Sequence, residues 1–511
     1  MIVRIRSCLL SGGRSRPAAR VEQRSRNLLN SRRTVRNHQR IRSRTMTAAA
    51  SSTQRPVSVA DEVRAARRVF DSGKTRALSW RVEQLRALET MLTERSGELE
   101  QALLHDLGRK PIDGYIADIY SVRTESAYVR KNLGKWTRDR RVRTPLSMGP
   151  GRARVHRQPL GTVLIIAPWN YPLHLALMPL IGALAAGNTV VLKPSELTPR
   201  CSAALADLLP RYLDADAVRV VEGGVEETTA LLNEKFDHIF FTGNETVGKI
   251  VMAAAAKTLT PVTLELGGKS PVWVDDTFPI EKAADWIAWG KCTNNGQTCV
   301  APDYVLTTPD VAPRLVDALR DSIRRLYGDD PKSNPDYSRI VNERHTARLI
   351  GLLESGTVAL GGAHDLGDKY IEPTVLVDVA ADSPVMREEI FGPILPIVTV
   401  ENLDEAVATI RAGSHPLAAY AFTTSEAVQA TLVRETSSGS LTINALMLQL
   451  GIPDLPFGGV GASGMGSYHG EHSVRVFSHE RSIFRRGNFS DFLLRIARPP
   501  FTERSEKQLR R

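Results

Sequence analysis

Between residues 162 and 266 the chain alternates short runs of β-branched and apolar residues with stretches of helical periodicity, and this constrains its fold more than any other feature. The strand-like runs are residues 162–167, 189–192, 218–221, 238–241 and 262–266, with helix-like segments near 174–186, 200–209, 226–232 and 246–256. Repeated strand–helix units with short connections predict a parallel, doubly wound α/β sheet. A second alternation runs from Val272 to about Thr442, with strand-like residues 374–379, 394–400, 418–422 and 441–443. A chain of 511 residues exceeds what one hydrophobic core serves, so two α/β domains in succession are expected. Residues 58–138 read as helical: Val63, Ala66, Val69 and Phe70, then Leu85, Leu88, Met91 and Leu92, recur at helix spacing. Residues 140–157 and 467–511 show neither pattern clearly.

The formal charge of +11 is unevenly placed. Residues 1–45 hold 13 Arg and a single acid, Glu22, so the remainder is close to neutral at −1. That tail has no Lys and only short apolar runs, and is expected to be disordered. Three readings of it stand: translation beginning at Met46, an organelle transit peptide, or a nucleic-acid-binding arm, although no aromatic residues interleave with its charges to stack on bases. No nucleic-acid partner is expected of the body. The four cysteines, Cys8, Cys201, Cys292 and Cys299, contain no C-x-x-C pair, which suits a reducing compartment, the cytoplasm, and no metal site. The longest stretch free of polar side chains, residues 175–186, is too short to span a bilayer, and no hydrophobic anchor is seen near Arg511.

Several segments carry chemistry. Gly296-Gln297-Thr298-Cys299 sets a thiol at a turn, downstream of a carboxylate in Leu264-Glu265-Leu266-Gly267-Gly268. A thiolate that attacks an aldehyde carbonyl forms a tetrahedral adduct able to expel hydride, and a carboxylate can activate the water that hydrolyses the resulting thioester. Cys292 competes as nucleophile. It follows the helix-like residues 286–291 and reads as a small buried hydrophobe, whereas Cys299 sits at a turn that could open a helix and lower its pKa. Pro168-Trp169-Asn170-Tyr171-Pro172 follows a strand at the carboxyl edge of the first sheet, where such folds bind ligands. Asn170 offers an amide to an oxyanion, with the backbone N–H of Cys299 as second donor; Asn is also an ordinary turn residue.

Further strand ends offer coenzyme contacts, each against a plainer alternative. Lys193 and Glu196 in Lys193-Pro194-Ser195-Glu196 can hydrogen-bond an adenosine ribose, or form an exposed loop pair. Gly243, Asn244 and Val247 lie where a strand turns into a helix whose N–H groups can hold a phosphate, or merely connect the two. Glu389 and Phe391 in Glu389-Ile390-Phe391-Gly392-Pro393 can hold a nicotinamide ribose and ring, or form a turn. The G-x-G-x-x-G run from Gly459 to Gly464 follows Pro456 instead of a strand and precedes no apolar helix, so it reads as a glycine-rich loop end.

As a set, in order and spacing, these segments resemble the NAD(P)-dependent aldehyde dehydrogenase superfamily from about residue 58 to 500. Leu455-Pro456-Phe457-Gly458-Gly459 through Tyr468-His469-Gly470, with Cys299-Val300-Ala301-Pro302-Asp303-Tyr304, resembles its class 3 branch. The resemblance implies a basic extension (1–57), a Rossmann-like coenzyme domain (58–139 and 158–266), a catalytic domain (267–466) and a bridging, oligomerising domain (140–157 and 467–511). It implies Cys299 as nucleophile, Glu265 as general base and Asn170 as oxyanion donor. Trp169, Lys193, Glu196, Gly243, Asn244, Val247, Leu266, Gly267, Glu389 and Phe391 would bind the coenzyme. Asn244 stands where many relatives have Ser. It further implies a homodimer acting on aromatic or medium-to-long aliphatic aldehydes. NAD is the expected coenzyme, with NADP possible, because a 2′-phosphate would meet the charge of Glu196 while Lys193 softens it. A CoA-acylating enzyme would not need a water-activating Glu265, and a binding protein working through the tail is the remaining rival.

Overall fold

Both alternations form the sheets they predict. The computed structural model describes residues 58–145, 148, 151–486 and 498–510; the basic tail, and every reading made of it, lies outside them. The first sheet runs in the order Gly464–Met465, Val262–Glu265, His238–Thr242, Thr162–Ile166, Thr189–Lys193, Val218–Val220, all parallel except the short first strand. Its three central strands are fully buried, which is why they read as continuous apolar runs without alternation. From Thr162–Ile166 the chain steps outward through two strands, then crosses back to His238–Thr242 on the other side. That reversal makes a switch point at the carboxyl ends of the two strands, the crevice where such sheets bind ligands.

The helix His174–Ala186 is apolar all round because every residue from Leu175 to Ala186 is buried. Gly187, at φ +94°, ends it in the left-handed conformation that glycine adopts without strain. No helix among the described residues is long and apolar enough to cross a membrane. The second sheet is centred on Pro271–Val274, with Tyr304–Thr307, Ile394–Thr399, Thr374–Val377 and Thr357–Leu360 to one side and Ala418–Phe422 and Ser440–Ile443 to the other. The glycine-rich loop ends in a strand that pairs antiparallel with Val262–Glu265, setting Gly464 opposite Glu265. A Cβ on Gly464 would lie 2.0 Å from the Leu264 carbonyl oxygen, so the approach needs glycine.

The segments that show neither pattern contribute strands: Arg140–Val142, Gly151–Pro159 and Ser478–Arg486 form a three-stranded antiparallel sheet. The register explains why its alternation escapes notice. Arg141, Arg152, Arg154, Arg481 and Arg485 share one face, and Val142, Ala153, Val155 and Phe484 the other. Val142 and Phe484 stay exposed in the chain, so no core-facing run marks the strands.

Asn188 ties this frame together. Its fully buried amide accepts the N–H of Gly161 at 2.9 Å and donates to the carbonyls of Ala183 at 3.1 Å and Phe477 at 2.9 Å. Removing it strands the Gly161 N–H and the Phe477 carbonyl, each costing about 1–3 kcal/mol when unsatisfied, while the Ala183 carbonyl keeps the backbone N–H groups of Gly187 and Asn188. Asn188→Ala is expected to lower unfolding stability in urea by about 2–4 kcal/mol. A loss below about 1 kcal/mol would show that these two groups find other partners.

Candidate active site

The thiol loop follows the helix Ile280–Cys292, which ends because Asn294 (φ +49°), Asn295 (φ +54°) and Gly296 (φ +69°) turn left-handed in succession. Asn and Gly are the residues that adopt this conformation most readily. A Cβ on Gly296 would lie 2.3 Å from the carbonyl oxygen of Gly392, so this loop and residues 389–392 are in backbone contact. Gln297, wholly buried, donates to the carbonyls of Asn294 and Arg339, both at 3.0 Å, and accepts the N–H of Val341 at 2.9 Å. Sequence reasoning missed this bracing role. The Asn-Asn-Gly run was its one signal.

Asn170 meets that loop directly. Its amide donates to the Gln297 carbonyl at 3.0 Å, and its own carbonyl accepts from the Asn294 amide at 2.8 Å. One amide N–H thus fixes the side chain two residues from Cys299 and leaves the second for another acceptor. Tyr171 bonds Thr298, hydroxyl to hydroxyl, at 2.8 Å.

Cys299 is partly buried in a turn that opens no helix. The expected lowering of its pKa is therefore corrected: burial, then the nearby charges of Glu389 and Glu265, push it up to about 12, against the backbone N–H groups of Cys299 and Val300. Cys292 is buried at its helix end, as its sequence context suggested.

Glu265 is not an exposed strand end. It pairs in register with Thr242, its carbonyl accepts the N–H of Gly243 at 3.0 Å, and its side chain is only 2% exposed. Neither carboxyl oxygen has a hydrogen-bond partner within the protein, and burial pushes the group well above the usual carboxylate range. An orphaned buried carboxyl is costly, and such groups concentrate at functional sites.

Glu389 lies against Gly267, where a Cβ would sit 2.2 Å from its carboxyl, and accepts from the Gly268 backbone. Burial, with Asp303 adding like charge, pushes its pKa up to about 8. Arg348 holds the segment by donating to the Ile390 carbonyl at 2.5 Å, and Asp303 accepts the Ile390 N–H at 2.9 Å. Phe391, at φ +50°, meets Trp169 edge-on at 5.4 Å, and His345 packs against the same indole at 5.4 Å. His345 and Arg348 belong to the helix Glu343–Leu352, which no motif singled out.

The remaining positions form a separate group at the first sheet. Lys193 is buried and donates to the half-exposed Glu196 at 2.8 Å, so the pair is not simply a solvated one. Burial raises the Glu196 pKa, but the Lys193 ammonium outweighs it and holds the carboxyl below its ordinary value. Asn244 caps the helix Glu245–Ala256 by accepting the Val247 N–H at 2.9 Å, leaving the N–H groups of Glu245 and Thr246 as that helix's open donors. Leu266 spends its N–H on the Ser463 carbonyl at 3.0 Å. Open N–H groups for phosphates, with an acid for a ribose at either end of the site, suit the donor set a dinucleotide requires.

The chain is similar to known proteins over most of its length. The family model described as the aldehyde dehydrogenase family matches residues 29–483. A rat protein named "Aldehyde dehydrogenase, dimeric NADP-preferring" is 47% identical over 87% of this chain and 98% of its own length. Human aldehyde dehydrogenase family 3 member B1 is 48% identical over 88% of this chain and 96% of its own. The substrate-bound structure of Staphylococcus aureus AldH is 43% identical and superposes with a TM-score of 0.86, covering 88% of this chain and 98% of that one. On the sheet order, the buried thiol–carboxyl pair and this likeness over most of its length, the chain belongs to the aldehyde dehydrogenase family.

Proposed function

We propose that this enzyme, which oxidises aldehydes with NAD or NADP, does so through a covalent thioester on Cys299 that Glu265-activated water hydrolyses. The observation that carries this reading is the buried carboxyl of Glu265, free of internal partners and close enough to Cys299 for its charge to raise the thiol's pKa. The Cys299 thiolate attacks the aldehyde carbon, and the resulting oxyanion takes hydrogen bonds from the second Asn170 N–H and the Cys299 backbone N–H. The coenzyme supplies the hydride acceptor. Glu265 then takes a proton from water as its oxygen adds to the thioester, and the thiol leaves as the carboxylic acid forms. Asn170, fixed by Gln297, needs no reorganisation as charge develops.

Lys193 and Glu196 are assigned to the adenosine ribose, and Gly243, Asn244 and Val247 to the adenine and pyrophosphate region, Asn244 acting by setting the helix N-terminus. Leu266 and Gly267 form the backbone beside the nicotinamide, while Trp169, Glu389 and Phe391 hold that end. The first sheet, with residues 58–139 and 158–266, serves as the coenzyme domain, and residues 267–466 as the catalytic domain. Residues 140–157 and 467–511, which contribute the three-stranded sheet Arg140–Val142, Gly151–Pro159 and Ser478–Arg486, are assigned to joining two copies into a homodimer; the rat relative is named as dimeric. The sheet's exposed Val142 and Phe484, on one face with Ala153 and Val155, support that use. Aromatic or medium-to-long aliphatic aldehydes are the substrates assigned. The free Cys201, Cys292 and Cys299 suit a reducing compartment such as the cytoplasm.

Cys299→Ala is expected to abolish turnover while coenzyme binding, followed by protein fluorescence, survives; Cys292→Ala should keep most activity. Substantial turnover by the first variant would end the thioester mechanism.

Glu265→Gln should release a burst of NADH and then stall, because general-base assistance contributes roughly 10²–10⁴-fold. In the unmutated enzyme the base acts as carboxylate, so deacylation should fall as pH drops through a value well above the ordinary Glu pKa. Neither burst nor slowed steady state in the variant would reassign the role.

The rat relative's name records a preference for NADP. In this chain the Glu196 carboxylate still faces any 2′-phosphate, and Lys193 partly offsets it, so NAD should be preferred without exclusion of NADP. Equal kcat/KM for both coenzymes, or an unchanged ratio in Glu196→Gln, would remove Glu196 from the ribose.

A further inference from the structure

Resting on the assignment of Cys299 as nucleophile, we propose that Arg109, Asp118 and Tyr171 form a buried positioning device that sets the Asn170 loop against the thiol loop. Asp118 lies in the π-helical stretch Tyr115–Tyr120, between Pro111–Gly114 and Ser121–Trp136. Such wide turns are rare and frequently mark functional sites. One carboxyl oxygen of Asp118, fully buried, accepts from Arg109 Nη1 at 2.5 Å. The other accepts the backbone N–H groups of Leu173 at 3.1 Å and His174 at 3.0 Å. Asp118 therefore caps the helix His174–Ala186, which begins four residues after Asn170.

Arg109 is itself fully buried. It donates a second bond to Asp113 at 2.8 Å, and its guanidinium lies 4.8 Å from the centre of the Tyr171 ring. The hydroxyl on that ring is the one bonded to Thr298, the residue before the thiol. The Tyr171 ring is thus gripped by the cation at its face and by the thiol loop at its oxygen, and residues 170–174 are pinned at both ends.

A buried ion pair is weak evidence of stabilisation, because well-packed apolar residues of similar volume often serve as well. What apolar packing cannot supply is direction. The Asp118 carboxylate fixes where the helix starts, and the Arg109 guanidinium fixes the plane of the Tyr171 ring. Small misplacement of reacting groups can cost about 10²-fold in rate, so the device acts on chemistry through Asn170 and Cys299.

The test compares Tyr171→Phe, Arg109→Met and Arg109→Lys with the unmutated chain by stopped-flow NADH formation, active-site titration and thermal unfolding. Tyr171→Phe, which leaves the ion pair and cap intact, should slow the burst about tenfold with unchanged coenzyme affinity and unfolding midpoint. Arg109→Met should slow the burst per active site by about 10²-fold, and Arg109→Lys should recover most of it. A structural role alone would lower the midpoint and the number of active sites but leave the per-site burst rate untouched, and that result overturns the proposal. If Arg109→Met does not fold, Tyr171→Phe decides: an unaltered burst sinks the device. Cys299→Ala runs alongside. Turnover there would mean that the nucleophile is misassigned, whereas a dead Cys299→Ala beside an unaffected Tyr171→Phe removes the positioning device alone.

Discussion

The carboxyl of Glu265 is held in the protein interior with neither oxygen hydrogen-bonded by the chain, and much of the surrounding structure reads as the means of keeping it there. It ends a parallel strand flanked by His238–Thr242 on one side and the short Gly464–Met465 strand on the other. That second flank exists only because Gly464 has no side chain to strike Leu264. Without both neighbours the carboxyl would relax into water and recover its ordinary acidity. Burial raises its affinity for a proton, which supports its proposed use in taking one from water.

The same economy of backbone contact governs the thiol. Gly296 lets the loop before Cys299 touch the backbone of Gly392, and the Gln297 side chain anchors that loop to Asn294, Arg339 and Val341. Asn170 then joins the end of the first sheet to this loop from the second unit of secondary structure. Cys299 and Asn170 are therefore carried by loops, yet those loops are fixed by amide hydrogen bonds, as a site on a rigid scaffold requires.

How much of this could be read beforehand depends on whether local sequence records the interaction. The strands at 162–166, 189–193 and 238–242 were legible because full burial on both faces demands apolar residues throughout. The turn at Cys299 and the strand end at Glu265 were legible from their local sequence. The three-stranded sheet was not, since its faces pair arginines with residues left exposed in the single chain. Nor were Arg348 and His345, nor the reach of Arg109 and Asp118 to Tyr171, Leu173 and His174, since these contacts lie far along the sequence and sit in no motif. The sign of the Cys299 shift was misread for a related reason: the loop was expected to open a helix, and the two carboxyls beside it become neighbours only in three dimensions.

Those carboxyls bear on how any pH profile should be assigned. Cys299, Glu265 and Glu389 are each pushed toward the protonated form, and the charges of Glu265 and Glu389 both raise the thiol. Ionising one of the three makes the next ionisation harder, so the protons leave in steps that belong to the cluster and not to single residues. Burial pushes Glu389 up to about 8, and its conversion to carboxylate makes thiolate formation harder. Rising pH favours the ionised form of all three, and each charge gained makes the next harder to gain. On the proposed assignment it supplies the Glu265 carboxylate for hydrolysis, while charge gained at Glu389 makes the rise in thiolate shallower. A limb near that value therefore follows the charge of the whole site, and Glu389→Gln should move it without removing the nucleophile or the base. An unmoved limb in that variant would return the ionisation to Glu265 or Cys299.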